Sequence, residues 1–496
     1  MKKSIISLLL LVAMIFNIFA LTACDFSDFF GTEDVEEPAK IVEDYKIPET
    51  GFDINEEVTI TFYHTMGKNL SDVLDAYIPV FNEMYPNITI EHSQVGGYDD
   101  VRDQIKTEIN VGDQPNLAYC YPDHVALYNL SGTVVNLNSL ISSTMEITRK
   151  DGTKEVLGLS KDQIDDFIDA YYDEGKQFGH VNPNGDDVMY TLPLSKSTEV
   201  LYYNKTFFEE HNLKVPTTWD ELEAVCEQIK AIDPTSIPLG YDSEANWFIT
   251  MTEQLGTPYT SANKVNGTNF LFDDPANYDF IKEFNTWYNK GLVTTQELHG
   301  SYTSSLFVEQ DTTKPRSYMS IGSSAGATHQ RPTKVDGAYP FEVGIAPIPQ
   351  ANPNNAKVIS QGPSICLFQG KKISDQEVIA SWLFLKFLVT NVEFQAEFSM
   401  ASGYIPVIES VRENEVYAEF LNNANGGDNI AALSVKQGLD QKDNYYVSPA
   451  FNGSATARDQ VGLIIQQAIV LPEGTNLDAK LKEIFGTAIN ECENSQ

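Results

Sequence analysis

Apolar positions along the chain alternate between the two-residue period of strands and the wider spacing of helices. Val58-Thr59-Ile60-Thr61-Phe62 has the apolar–polar alternation of a strand. After a loop at 64–68, Leu70, Val73, Leu74, Tyr77, Ile78 and Phe81 recur at helical spacing, and Tyr85-Pro86-Asn87 ends that helix. A second strand is predicted at 88–92, a turn at Gly96-Gly97, a helix from about 99 to 109, a third strand at 116–120 and a helix start at 123–128. This β-α-β-α-β order predicts a mostly parallel sheet with helices on its faces. Ligands of such sheets bind beyond the carboxyl ends of the strands. The loops at His64, at 96–98 and at 121–123 all sit at such ends.

The same grammar continues downstream. Thr218-Trp219-Asp220-Glu221 has the form of a capping box and opens a helix with Trp219, Leu222, Val225 and Ile229 on one face. Residues 341–346 form a clean strand pattern followed by Pro347 and Pro349, and 358–368 a second one interrupted by Gly362-Pro363. The stretch 378–389 is apolar on most sides, as a buried helix would be. Two terminal helices are predicted at 457–468 and 477–489, and no repeat of solenoid length occurs.

The first residues depart from this pattern. Lys2 and Lys3 precede an apolar run from Ile5 to Leu21, which ends in Leu21-Thr22-Ala23-Cys24. A basic start, an apolar middle and small residues at a cleavage point are the marks of a secretory signal, here expected over 1–23. Leu-Thr-Ala-Cys resembles the lipobox of bacterial lipoproteins, which implies lipidation at Cys24 and a location on the outer face of the cell membrane. Residues 24–57 are rich in Asp and Glu, with Pro38 and Pro48, and are expected to be a flexible acidic tether because so little apolar surface cannot offset chain entropy.

Composition narrows the function. At 496 residues the chain has room for two large domains or about three of ordinary size. The 70 acidic residues against 33 basic ones give a net charge of −37, a field that repels a polyphosphate backbone, so no nucleic-acid partner is expected. Of five cysteines, Cys120, Cys226, Cys366 and Cys492 are scattered without disulfide-scaffold or zinc spacing, so neither metal nor cofactor is expected. Residues 182–187 are oxygen-rich but lack the order of a calcium-binding loop and read as a turn. No zinc-protease, phosphate-loop, nucleophile-elbow or dinucleotide motif occurs, so an enzyme is not expected. Paired carboxylates could serve a glycoside hydrolase, yet with 70 acids such pairs arise by chance.

Several segments carry a resemblance. Leu192-Pro193-Leu194-Ser195-Lys196-Ser197-Thr198-Glu199-Val200-Leu201-Tyr202-Tyr203-Asn204-Lys205 is followed closely by Val215-Pro216-Thr217-Thr218-Trp219-Asp220-Glu221-Leu222. Residues 319–327, 341–349, 361–368 and 402–407 then match in order. Together they resemble the extracellular solute-binding lipoproteins of ABC importers, the family built like the maltose-binding protein, from Val58 to the C-terminus. The resemblance implies an α/β fold of two lobes, each a mostly parallel sheet flanked by helices, joined by a multi-segment hinge. It implies crossings near 193–200, 341–349 and 402–407. One lobe would hold 58–195 plus 347–405, the other 196–346 plus 406–496. It further implies a monomer that closes on a sugar or oligosaccharide and delivers it to ABC permease subunits. A sensor serving a membrane receptor would use the same cleft.

A sugar site needs aromatic faces for C–H surfaces and planar polar groups for hydroxyls. Trp247 follows a Gly-Tyr-Asp-Ser-Glu-Ala-Asn loop, where the family often presents a stacking aromatic; the alternative is a core indole. Trp219, Trp287 and Trp382 sit at core spacing. Tyr121 and Asp123 follow a strand, with a helix N-cap as the other role for Asp123. Tyr98, Tyr404, Ser197 and Thr198 occupy cleft or crossing positions by resemblance, and His64 ends the first strand as a cleft group or an exposed loop imidazole. Ser323 and Ser324, in a loop of small residues, and Gly362, a strand glycine, allow close backbone approach. The same segments resemble the glycerol-3-phosphate-binding branch, whose phosphate would need an arginine; the candidates are Arg331 and Arg458.

Overall fold

A computed structural model describes residues 39–496. Its core is two sheets. In the first, the strand order is Ile88–Gln94, Val58–His64, Leu117–Cys120, Ser364–Leu367, Thr191–Pro193. Val58–His64 buries its alternate residues, as its sequence pattern demands, and Leu117–Cys120 is buried on both faces. The helix Asp375–Thr390 starts at a capping box in which Ser374 Oγ accepts from the Glu377 N–H and the Glu377 carboxylate accepts from the Ser374 N–H. Every residue from Val378 to Val389 is buried, and Trp382 Nε1 donates to the Leu157 carbonyl at 2.9 Å. An all-round apolar helix can only be a core helix, and this one packs with Phe62 and Phe81 under the first sheet.

The second sheet runs Val293–Thr295, Leu239–Tyr241, Met319–Ser323, Ser197–Asn204, Val358–Gln361, Tyr445–Tyr446, with Val343–Pro347 also paired to Ser197–Asn204. Its own apolar core contains Trp219, Trp247 and Trp287. Each sheet with its helices is one lobe. Both sheets are mixed rather than mostly parallel. The first strands of each pair in parallel, but Ser364–Leu367 is antiparallel to both its neighbours, and Ser197–Asn204 is antiparallel to Met319–Ser323, Val343–Pro347 and Val358–Gln361. The early β-α-β order foretells the parallel part only, because the returning strands arrive from the other lobe.

The chain leaves the first sheet at 194–196 and returns at Gly362-Pro363. The expected change of lobe at 341–349 is therefore displaced. Val343–Pro347 and Val358–Gln361 both belong to the second sheet, and Ile348 between them packs in that sheet's core. Gly362 makes the return possible: its φ is +110°, and a Cβ there would stand 2.7 Å from Ser195 O and 2.9 Å from Lys196 Cα. Beside these, Lys196 and Ile405 exchange backbone hydrogen bonds at 2.9 and 2.6 Å, but the change of lobe expected at 402–407 does not occur there, since Val407, Ile408, Val411 and Tyr417 still pack in the first lobe's core.

The signal segment 1–23, Cys24 and residues 24–38 lie outside the described residues. From Ala39 onward the acidic stretch is no loose tether. Lys40–Ile41 pairs in parallel with His180–Val181, the Tyr45 carbonyl accepts from Ser139 Oγ at 2.7 Å, and Phe52 is buried edge-on against Tyr85. Tyr45, Ile47, Phe52 and Ile54 pack on the first lobe's core while the carboxylates between them face outward. A few well-placed apolar residues are enough to dock a segment whose average composition reads as disordered.

Candidate functional site

The two lobes meet over a cavity of about 50 Å³. Tyr121 and Asp123, at the carboxyl end of Leu117–Cys120, and Glu174 line it from the first lobe; Tyr259, Gln361 and Arg458 line it from the second. The lobes stand closed on it. Arg102, on the helix Tyr98–Ile109, reaches Asp459, on the helix Ser454–Ile469, at 3.2 Å.

On the first lobe's side Tyr121 lines the cavity and further tyrosines stack behind it. The Tyr98 and Tyr121 rings stack 4.3 Å apart at 17°, and Tyr119 lies beyond Tyr98 at 6.4 Å. Burial, and then the adjoining Tyr404, push the phenols of Tyr98, Tyr119 and Tyr121 upward, so all stay protonated as hydrogen-bond donors. The guanidinium of Arg458 lies 5.9 Å above the Tyr121 ring and donates to Asn246 Oδ1. Burial works against the Arg458 charge, but Asp123 and the surrounding phenols outweigh it and hold the group above its ordinary pKa. Asp123 is not an N-cap: that position is Tyr121, and Asp123 sits in the first turn, accepting from the His124 N–H at 3.0 Å.

The structure thus brings Tyr98, Tyr121, Asp123, Tyr404 and Arg458 together and sends the other candidates elsewhere. Trp247 is fully buried between Tyr241, at 4.9 Å, and Phe284, at 3.8 Å, so it is a core indole and cannot face the cleft. Thr198 Oγ1 donates to the Ile359 carbonyl at 2.8 Å, and Ser197 is buried in the strand opposite Gln361. Ser324 is fully buried, its hydroxyl accepting from the Thr198 N–H, while Ser323 Oγ accepts from the Ala325 N–H at 3.2 Å as the cap of its own turn. The close approach that Gly362 permits is to the neighbouring crossing segment. Arg331 donates to the carbonyls of Gly427 and Asp428 and lies over Tyr339, away from the cavity.

His64 is neither a cleft group nor an exposed loop residue. It is buried, its Nδ1 accepts from the Met66 N–H at 3.1 Å, and its Nε2 lies 2.9 Å from His92 Nδ1, with His92 Nε2 2.9 Å from Asp75. Burial, then His92, pushes its pKa down to about 4 from 6.5. Burial likewise lowers His180 to about 4. A depressed histidine contributes stability that is complete above the unfolded value and lost as pH falls through the folded one. The melting temperature should therefore drop between pH 6.5 and 4, less steeply in His64→Asn; equal slopes for the two proteins would refute this assignment.

Sequence reasoning did not single out Glu174, Tyr259, Gln361 or Asn246. Glu174 and Lys196 form an ion pair with side chains 2% and 0% exposed, a lysine that a local pattern marks only as one residue of a crossing segment.

Comparison with known proteins agrees with this architecture. A model of the bacterial extracellular solute-binding proteins matches residues 76–424, and the chain belongs to that family. The sn-glycerol-3-phosphate-binding periplasmic protein UgpB of Salmonella typhimurium is 24% identical over 367 residues, 72% of this chain and 75% of its own length. Among solved structures, UgpB from Mycobacterium tuberculosis in complex with glycerophosphocholine superposes with a TM-score of 0.67 at 16% identity, covering 88% of this chain and 98% of that one. A substrate-binding protein from Listeria monocytogenes in complex with cycloalternan gives 0.66 at 16%, covering 88% and 99%. The fold is that of the two-lobe binding proteins, and the protein is a bacterial extracellular solute-binding protein.

Proposed function

We propose that the cleft captures a neutral sugar or oligosaccharide and that the chain hands it, chemically unchanged, to the permease. The observation that carries this is the placement of Asp123 and Arg458 on opposite lobes, both lining the cavity beside the Tyr98–Tyr121 stack. The carboxylate accepts from hydroxyls, the guanidinium donates to them, and the rings offer flat faces to C–H surfaces. Because the two charges balance, a neutral guest leaves neither unpaired. Bridging both groups also favours the closed state, which is the differential affinity that a clamp requires. In keeping with this role, Cys24 carries a lipid that holds a monomeric chain at the outer face of the cell membrane.

A second reading is supported by Arg458 itself, which could hold the phosphate of a glycerol phosphate or a phosphodiester. Asp123 and Glu174 in the same wall weigh against a guest of net negative charge. Thermal shift against maltotriose, xylotriose, glycerol 3-phosphate and glycerophosphocholine separates the two. A ligand at ~100 times its dissociation constant should add about 2.7 kcal/mol of stability. The expected result is a shift with a neutral saccharide, its recovery intact by mass spectrometry, and compaction by small-angle scattering. Shifts confined to the phosphates would replace the first reading by the second, and a processed saccharide would refute a pure carrier.

A further inference from the structure

Behind the cavity wall lies a polar group that touches no part of the cavity yet is bonded to residues that line it. Asn246 stands at its centre. Its Nδ2 donates to Glu199 Oε1 at 3.1 Å and to Gln361 Oε1 at 2.9 Å, and its Oδ1 accepts from Arg458 Nη2. Glu199, on the strand Ser197–Asn204, is fully buried, and its other oxygen accepts from the Tyr241 hydroxyl at 2.7 Å. An amide donates at one end and accepts at the other, whereas an ionised carboxylate only accepts. Glu199 therefore compels Asn246 to turn its NH2 inward, and the amide oxygen then points at Arg458. The backbone is fixed to the same end. Ser243, which begins the helix Glu244–Leu255, holds a φ of +97°, rare for a residue with a side chain, and its Oγ accepts from the Asn246 N–H at 3.2 Å.

We propose that Glu199 is the positioning residue of the cleft: through the amide of Asn246 it sets the direction in which Arg458 and Gln361 face the cavity. This rests on the cleft reading for what Arg458 meets, but not for the arrangement itself. The groups around the carboxylate are Tyr241, Asn246, Asp242, Tyr446 and Arg458. Burial pushes Glu199 up to about 7, and its bonds to Tyr241 and Asn246 limit the rise. A proton on Glu199 adds a donor to a group that otherwise only accepts, which weakens its hold on the Asn246 NH2 and loosens the amide oxygen that Arg458 meets. The orientation of Arg458 is thus sensitive to pH near neutrality.

Nitrogen-15 NMR of the Arg458 guanidinium and the Asn246 amide tests this without any ligand, with the signals assigned in the full chain by Arg458→Lys and Asn246→Ala. In the wild type the Arg458 Nη signals should be slowed in exchange at pH 8 and lose that protection toward pH 6. In Glu199→Gln they should be unprotected at both values while the near-UV circular dichroism stays native. Protected Arg458 signals in a folded Glu199→Gln protein would overturn the proposal. If that variant does not fold, a flat wild-type profile from pH 5.5 to 8.5 would overturn it instead. Titration of maltotriose and glycerophosphocholine adds a second arm: whichever binds should bind about tenfold more weakly at pH 6 than at pH 8, roughly the effect of one charged hydrogen bond, and Glu199→Gln should abolish the dependence. Binding by neither probe would count against the proposed ligands alone, since the Arg458 signals report on Glu199 in either event.

Discussion

Replacing Lys196 by methionine should destabilise the protein by about 3–5 kcal/mol, because it leaves the Glu174 carboxylate buried without its cation. The two side chains are 0% and 2% exposed, and among the described residues the lysine's other side-chain hydrogen bond is a long one to Ser364 Oγ at 3.4 Å. The double replacement Lys196→Met with Glu174→Leu should recover most of the loss, since an apolar pair of similar volume removes both desolvation terms. Denaturant unfolding of the full chain measures both, and a single variant as stable as the wild type would refute the account. The pair ties two features together. Lys196 lies on the crossing segment against Gly362 and Ile405, and Glu174 forms part of the cavity wall. Loosening it should therefore weaken solute binding beyond what the loss of fold explains.

Trp247→Ala should be comparably damaging to stability, about 3–5 kcal/mol, the usual effect of emptying a large aromatic site in a close-packed core. The indole is sandwiched between Tyr241 and Phe284, with Trp287 at 6.4 Å, and no neighbouring group can collapse into so large a gap without breaking those stacks. Tyr121→Ala should behave in the opposite way, with a smaller effect on unfolding and a larger one on solute affinity, because its ring is half-buried at the cavity. Should Trp247→Ala unfold normally and lose only affinity, the indole would belong to the cleft after all.

The contrast between Asn246 and Trp247 shows where sequence reading stops. Successive residues on a helix are turned by about 100°, so one faces the cavity wall and the next the core. The loop before them marks the helix start correctly, but nothing local says which of the two directions is the cleft. The strands at 58–64 and 88–94 were legible because alternation is a local property, 117–120 as a short apolar run, and the rule that ligands gather at strand ends pointed to Tyr121 and Asp123. The lobe boundary was not legible near 341–349. A strand followed by prolines looks like an exit from a sheet, whereas Val343–Pro347 is held by pairing with Ser197–Asn204, a partner about 140 residues away in sequence. Ser323 and Ser324 were read as a loop that lets a guest approach the backbone, and Thr198 as a cleft or crossing position. Their hydroxyls instead satisfy backbone groups within the second lobe, which no composition can distinguish.

The docking of residues 39–57 assigns different mechanical parts to the two halves of the clamp. Lys40–Ile41, Tyr45 and Phe52 are fastened to the first lobe, so whatever holds the chain upstream of Ala39 pulls on that lobe alone. The first lobe is then the stator and the second the swinging jaw. A label on the second lobe should sweep relative to residues 39–57 as solute comes and goes, while one on the first should stay nearly still.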